Sequence, residues 1–203
     1  MQITNIVITG GPCAGKSAAM PLIKEIFTNK GYTVLFIPET ATELIIGGVC
    51  PWTTGKNQDY QLCQCQLQTF KENIFEQAVR TMPQDKFLVV CDRGLLDNKA
   101  YMNQDEFNYV LNEMNTTEEA MLNRYDAVFH LVSAAKGLED FYQKENNEAR
   151  YETVEEASAL DDRLIHCWEN HPNLKVIPNS YDFDQKMDLL LQEISDFLET
   201  IEK

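Results

Sequence analysis

Short apolar runs recur along the chain at residues 6–8 (IVI), 32–37 (YTVLFI), 87–91 (FLVVC), 127–132 (AVFHLV) and 174–177 (LKVI). They are rich in Val and Ile and do not alternate with polar residues, the pattern of strands buried on both faces of a parallel sheet. Helical patterns lie between them. Residues 16–29 end before Gly31, and residues 57–82 stop at Pro83 with Tyr60, Cys63, Leu67, Phe70 and Ile74 at helical spacing. Residues 152–169 carry Val154, Ala157, Leu160, Leu164 and Trp168, and residues 184–201 carry Met187, Leu190, Leu191, Ile194, Phe197 and Ile201. Strands alternating with helices predict a three-layer α/β/α fold with a parallel sheet of about five strands, in one domain over residues 1–203. The last helix has nearly heptad spacing, so it either closes the sheet or offers a face for a homodimer.

Charge and cysteine usage narrow the setting. The formal net charge is −15, from 32 acids against 17 Lys and Arg. Such a chain repels a polyanion, which argues against general nucleic-acid or anionic-membrane binding and leaves room only for a local basic pocket. No apolar run approaches the roughly 20 residues of a membrane span. The first run begins close to Met1, so no signal peptide is expected. The six cysteines form no CxxC pair, and Cys63 and Cys91 fall inside apolar patterns. Reduced, structural thiols and a cytoplasmic setting follow.

The first apolar run ends in "TGGPCAGKS", residues 9–17. Gly10 and Gly15 frame a GxxxxGKS pattern that Lys16 and Ser17 complete. Gly10, Gly11, Pro12, Cys13, Ala14 and Gly15, with Lys16, Ser17 and Ala18 opening a helix, form a candidate phosphate cradle. Glycines let successive backbone N–H groups turn inward, and the helix adds its positive dipole end. Lys16 can reach the β- and γ-phosphates and Ser17 can ligate Mg²⁺. Neither NKxD nor DxxG, the guanine-switch motifs, is present, which favours ATP. The strand "FLVVCDRG" ends in Asp92 followed by Arg93 rather than in an Asp-Glu pair. Asp92 is then the second candidate Mg²⁺ ligand, and Arg93 suits a phosphate or an acceptor.

Strand ends at the carboxyl edge of such a sheet face the ligand crevice. The second strand ends "FIPETATEL", so Glu39 should face the same side as the phosphate loop, in the first turn of a helix beginning at Pro38. It is either a base for an acceptor hydroxyl or an acid favoured by the helix dipole. Gln61, Gln64 and Gln68 flank the next helix's apolar stripe, as acceptor readers or a solvated flank. Trp52 could stack on a ring or pack in its loop. Residues 136–152 read as a lid carrying Lys136, Lys144 and Arg150, or as a solvated loop; Arg150 is the favoured cation and mid-helix Arg163 the weaker one. Asn179, in "VIPNSY" after the last strand, is placed to meet the base edge, and His171 with Pro172 ends a helix.

The stretches "ITGGPCAGKS", "GYTVLFIPETATELIIGG", "VVCDRG" and "NNEARYETVEEASALDDRLIHCWENHPNLKVIPN" resemble, in that order, the AAA-type P-loop domain of NadR and the TRPL-translocation-defect proteins. The resemblance implies a nucleoside-kinase-like P-loop fold with the Asp92 strand beside the strand that feeds the loop. More distantly the chain is similar to deoxynucleoside kinases. Their proline–glutamate pair supplying the base matches Pro38 and Glu39, and their acid–arginine pair matches Asp92 and Arg93. Their lid is arginine-rich, whereas here Arg150 stands almost alone. The expected function is transfer of the ATP γ-phosphate to a hydroxyl of a nucleoside-like small molecule, with Lys16, Glu39, Arg93 and Arg150 in the chemistry. A nucleotide-dependent regulatory module with slow hydrolysis stays open beside it.

Overall fold

A computed structural model describes residues 1–138, 153–180 and 182–202. Five parallel strands stand in the order β2-β3-β1-β4-β5. They are β1 (Gln2–Thr9), β2 (Thr33–Ile37), β3 (Lys86–Asp92), β4 (Ala127–Leu131) and β5 (Leu174–Ile177). The helices are α1 (Lys16–Asn29), α2 (Thr40–Ile46), α3 (Asn57–Val79), α4 (Gln104–Glu113), α5 (Glu118–Leu122), α6 (Val154–Trp168) and α7 (Phe183–Ile201), with a 3₁₀ turn at Leu95–Tyr101. Alternate buried residues of the central strands feed two cores, as the two-residue strand period requires. Val7, Phe87, Val89, Cys91 and Val128 pack with Cys65, Val110, Leu164 and Trp168 on one face. Ile6, Ile8, Val90 and Phe129 pack with Ile23, Phe27, Leu190 and Ile194 on the other. The three-layer arrangement expected from the apolar runs is present. No helix among the described residues is long and apolar enough to cross a membrane.

Helix α3 differs from the sequence reading in which face it buries. Much of its expected stripe points outward: Cys63 is exposed, as are Phe70 at 62% and Ile74 at 44%, Leu67 is half-buried, and Tyr60 alone of the five is buried. Tyr60, Gln61, Gln64, Cys65, Gln68 and Glu72 form the buried face instead. Burying three glutamines and a glutamate is unfavourable unless they find partners. Gln68 Nε2 meets Glu72 Oε1 at 3.1 Å, and the Tyr125 hydroxyl donates to the same oxygen at 2.7 Å. Arg124 Nε closes the group on Glu72 Oε2 at 2.7 Å.

Asp97 ties the sheet to its surroundings. Buried to 2% exposure, it accepts from Thr9 Oγ1 at 2.7 Å, Trp168 Nε1 at 3.0 Å and Gly94 N at 2.7 Å. One carboxylate thus joins the end of β1, the turn after β3, and α6. Asp97→Ala orphans three buried donors and should cost roughly 3–5 kcal/mol in urea unfolding, at about 1–3 kcal/mol per unsatisfied group. Asp97→Asn should lose about half as much, because its oxygen can still serve Thr9 and Trp168. A loss below about 1 kcal/mol for the alanine variant would contradict this role.

Candidate active site

The strand register brings the candidate residues to one edge. Ile8 pairs with Asp92, Ile37 with Cys91, and Leu131 with Ile177, so the residues that follow each strand emerge side by side. β1 lies between β3 and β4, and its following loop therefore opens into the crevice between the two halves of the sheet. Gly10 adopts φ +144°, and a Cβ there would stand 2.1 Å from the Leu131 carbonyl oxygen. Gly15 adopts φ +98° immediately before α1. Cys13, a non-glycine residue, is also left-handed at φ 55°. Lys16 folds back over the loop, its Nζ donating to Gly10 O at 2.9 Å and Gly11 O at 3.2 Å. Burial, and then the charge of Arg93, lower its ammonium to about 8. Ser17 and Ala18, in the first turn of α1, are exposed.

Side chains from later in the chain hold this loop from behind. Asp161 in α6 is fully buried and its Oδ1 accepts from Gly11 N at 2.8 Å, Ser133 N at 3.2 Å and His130 Nε2 at 3.0 Å. Ser133 Oγ donates to Pro12 O at 2.5 Å. Lys186 in α7 donates to Ala14 O at 2.9 Å, Val132 O at 2.7 Å and Asn179 Oδ1 at 2.9 Å. Burial pulls the Lys186 ammonium down to about 8, against the attraction of Asp161. Sequence reasoning missed Asp161 and Lys186. Each does carry a signal, since a charged residue stands on the apolar stripe of its helix: Asp161 between Ala157 and Leu164, and Lys186 four residues before Leu190.

Beside the loop lies a cavity of about 230 Å³ bounded by Cys13, Ala14, Leu138, Asn179, Phe183 and Lys186, among others. Asn179 lines it, but its amide is committed to the loop: Nδ2 donates to Ser133 O at 2.7 Å and Lys136 O at 2.8 Å. The sequence reading sets Asn179 at the base edge; here its amide nitrogen is spent on the loop and the residue forms part of the cavity wall.

On the other side of β1, Glu39 and Arg93 form an ion pair, with Arg93 Nε 2.6 Å from Glu39 Oε1. Thr42 Oγ1 donates to Glu39 Oε2 at 2.6 Å. Glu39 stands immediately before the first residue of α2 rather than within its first turn, and its side chain makes no capping bond to the helix backbone. Burial alone would raise its carboxyl, yet Arg93, Thr42 and the charge of Lys16 together bring it down to about 2. Arg93 has left-handed backbone at φ 68°, a conformation that costs energy outside glycine. Its N–H donates to Ile8 O at 3.1 Å and its carbonyl accepts from Gln68 Nε2 at 3.1 Å. Lys71 Nζ holds the neighbouring turn through Pro38 O at 2.8 Å. The outward step of β3 is therefore pinned by α3, the helix whose polar face is inward.

Several buried polar atoms around this pair have no protein partner: Asp92 Oδ1, Arg93 Nη1, Tyr60 Oη and Gln61 Oε1. Burial raises the Asp92 carboxyl, against the pull of Lys16. A buried polar atom without a protein partner is costly, and water, an ion or a ligand can each complete its bonding.

Other candidates go elsewhere. Lys136 Nζ lies 3.0 Å from Asp161 Oδ2 and 2.5 Å from Asp162 Oδ1, so it is engaged by α6. Arg163 Nε donates to Ala100 O at 3.1 Å. Trp52 is 68% exposed. His171 is buried, with Nε2 on Tyr125 O at 2.9 Å, and serves the turn after α6. Lys144, Arg150 and residues 139–152 of the candidate lid lie outside the described residues.

With this geometry in place, the comparisons with known proteins fall into line. Residues 5–186 match the model of a family described as an AAA domain. No curated protein matches the sequence. A solved structure of deoxyadenosine kinase from M. mycoides with bound dATP is similar, with a TM-score of 0.61 over 95% of this chain and 99% of that one. Its sequence identity is 14%, so the likeness is one of fold: the α/β P-loop architecture of a nucleoside kinase.

The acid–arginine pair makes a prediction of its own. Arg93→Met leaves the Glu39 carboxylate without its partner and should cost about 3 kcal/mol in denaturant unfolding. Combining it with Glu39→Gln should recover part of that loss, with a coupling of about 1–3 kcal/mol in the double-mutant cycle. Strictly additive effects would show that the two side chains do not support one another.

Proposed function

The chain belongs to this AAA-domain family, and on that premise we propose that it transfers the γ-phosphate of ATP to a hydroxyl of a small, nucleoside-like acceptor. The P-loop and the kinase fold support nucleotide binding. The observation that carries the kinase reading is the Glu39–Arg93 pair, fixed at the sheet edge next to Lys16 and ringed by unpartnered buried groups. In this reading the loop amides and Lys16 hold the β- and γ-phosphates. The cavity beside Cys13 and Phe183 takes the base.

A magnesium ion fits the residues present, because Asp92 Oδ1 is buried and lacks a partner at the end of β3 while the Ser17 hydroxyl opens α1. Two such ligands suffice for Mg²⁺, which takes its remaining oxygens from water and phosphate. When bound, the ion neutralises charge on the phosphates. The acceptor sits between Glu39 and the inward face of α3, where Tyr60 Oη and Gln61 Oε1 are free to bond its polar edge. Glu39 stays ionised at every working pH, since its carboxyl lies near 2. It is thus a weak base but a permanent acceptor of a hydrogen bond from the attacking hydroxyl. That role suits phosphoryl transfer, whose loose transition state depends on positioning more than on early proton removal. Arg93 keeps Glu39 in place and leaves Nη1 free toward charge that develops on the transferring group. Arg150 is proposed to add a second cation.

Purified protein with Mg-ATP should release ADP slowly alone and much faster when pooled nucleosides are added; equal rates would favour a nucleotide-hydrolysing module. Lys16→Ala should abolish most of the thermal stabilisation by Mg-ATP while leaving the ligand-free melting temperature nearly unchanged. Glu39→Gln should lower acceptor-dependent turnover by about 10–100-fold, the scale of a lost charge-assisted hydrogen bond, with little change in nucleotide affinity. Full turnover in that variant would remove Glu39 from the mechanism.

A further inference from the structure

A fully buried carboxylate behind a loop that receives a triphosphate needs an explanation, because its charge repels the ligand. Asp161 is such a group. Oδ1 accepts from Gly11 N, Ser133 N and His130 Nε2, and Oδ2, which has no hydrogen-bond partner, stands 3.0 Å from the Lys136 ammonium in an ion pair. The contact with Gly11 has a consequence on the opposite side of the loop. The Gly11 N–H and the Gly10 carbonyl belong to one planar peptide unit, so fixing one end fixes the other. The N–H end donates to Asp161 at 2.8 Å, and the carbonyl end accepts from Lys16 Nζ at 2.9 Å. Only glycine permits this approach, since a Cβ on residue 11 would fall 2.8 Å from Asp161 Oδ1.

We infer that Asp161 is a positioning residue of the nucleotide site, which orients the Gly10–Gly11 peptide and through it the resting place of Lys16. It acts on the nucleotide without touching it. Bonds to His130 and Gly11 and the ion pair with Lys136 outweigh burial and keep the carboxyl ionised, near 2, so the anchor persists across the working pH range. Its charge is offset locally by the ion pair with Lys136, which Asp162 shares. The inference rests on the nucleotide-binding part of the reading above and is independent of the acceptor.

The test is calorimetric titration of the full-length protein with Mg-ATP, well below the melting temperature of every variant. Asp161→Ala should weaken binding about tenfold, the scale of a lost charge-assisted bond. Asp161→Asn should stay within about threefold of wild type, because its amide oxygen can still accept from Gly11. Unchanged affinity in the folded alanine variant would reduce Asp161 to a packing role, and tighter binding in both variants would show that its charge opposes the ligand; either result overturns the inference. Should Asp161→Ala not fold, Asp161→Ser, a shorter polar side chain that withdraws the carboxylate from Gly11 N, is held to the same tenfold loss. Failure of the wild type to bind Mg-ATP would overturn the nucleotide reading and this inference together, whereas wild-type binding with an unaffected variant overturns the inference alone.

Discussion

The loop that leaves β1 crosses the end of β4 with no room for a side chain, since a Cβ on Gly10 would lie 2.1 Å from the Leu131 carbonyl oxygen. This close approach sets the location of nearly everything else in the site. It holds the loop over the crevice between the two halves of the sheet, where the parallel register also delivers Asp92, Glu39, Ser133 and Asn179. It also turns the Gly10 carbonyl toward Lys16 and the Gly11 N–H toward Asp161. A bulkier residue at either glycine would displace the cradle as a unit, because its neighbours are backbone and a buried carboxylate rather than movable surface side chains.

The chain carries a net charge of −15, yet its candidate site is a place where cations collect. Lys16, Arg93 and Lys186 converge on the loop and on the strand end beside it, and the three are bound differently. Arg93 is matched by a carboxylate. Lys16 and Lys186 are held by neutral oxygens, carbonyls in every case but the Asn179 amide. Burial lowers the pKa of both ammoniums, with Arg93 adding to the effect at Lys16, and a nearby anion would oppose that shift. The acids in the site are either paired, as Glu39 and Asp161 are, or left open, as Asp92 is. This division separates groups that build the site from a group able to take a metal.

Much of this was legible in the sequence where local chemistry decides. The apolar runs gave the strands, the GxxxxGKS pattern gave the loop, and strand-end logic put Glu39 and Arg93 on the same edge. Legibility failed where periodicity was decided by a tertiary partner. The Cys63–Phe70–Ile74 stripe looks like the inner face of α3, yet the glutamine face is buried because Glu72, Tyr125 and the Arg93 carbonyl give it partners that no linear pattern reveals. The helices α4 and α5 were overlooked although Asn103 with Glu106, and Thr117, are capping signals visible in the sequence. Asp161 and Lys186 interrupt apolar stripes, and such interruptions look like surface residues until the loop they brace is seen. The Asn179 position was informative but its role was not, since its amide is spent on two carbonyls.

In the function proposed above, the loop, the acid–arginine pair and the polar face of α3 serve to move a phosphoryl group between two bound molecules rather than to water. The most direct measurement is to supply ATP labelled with ¹⁸O in its γ-phosphate, together with pooled nucleosides and small hydroxylated metabolites, and to follow the label by mass spectrometry. The account predicts that the label leaves ATP mainly as an organic phosphomonoester, with ADP formed in equal amount. Label recovered only as inorganic phosphate, at a rate indifferent to the added compounds, would contradict it.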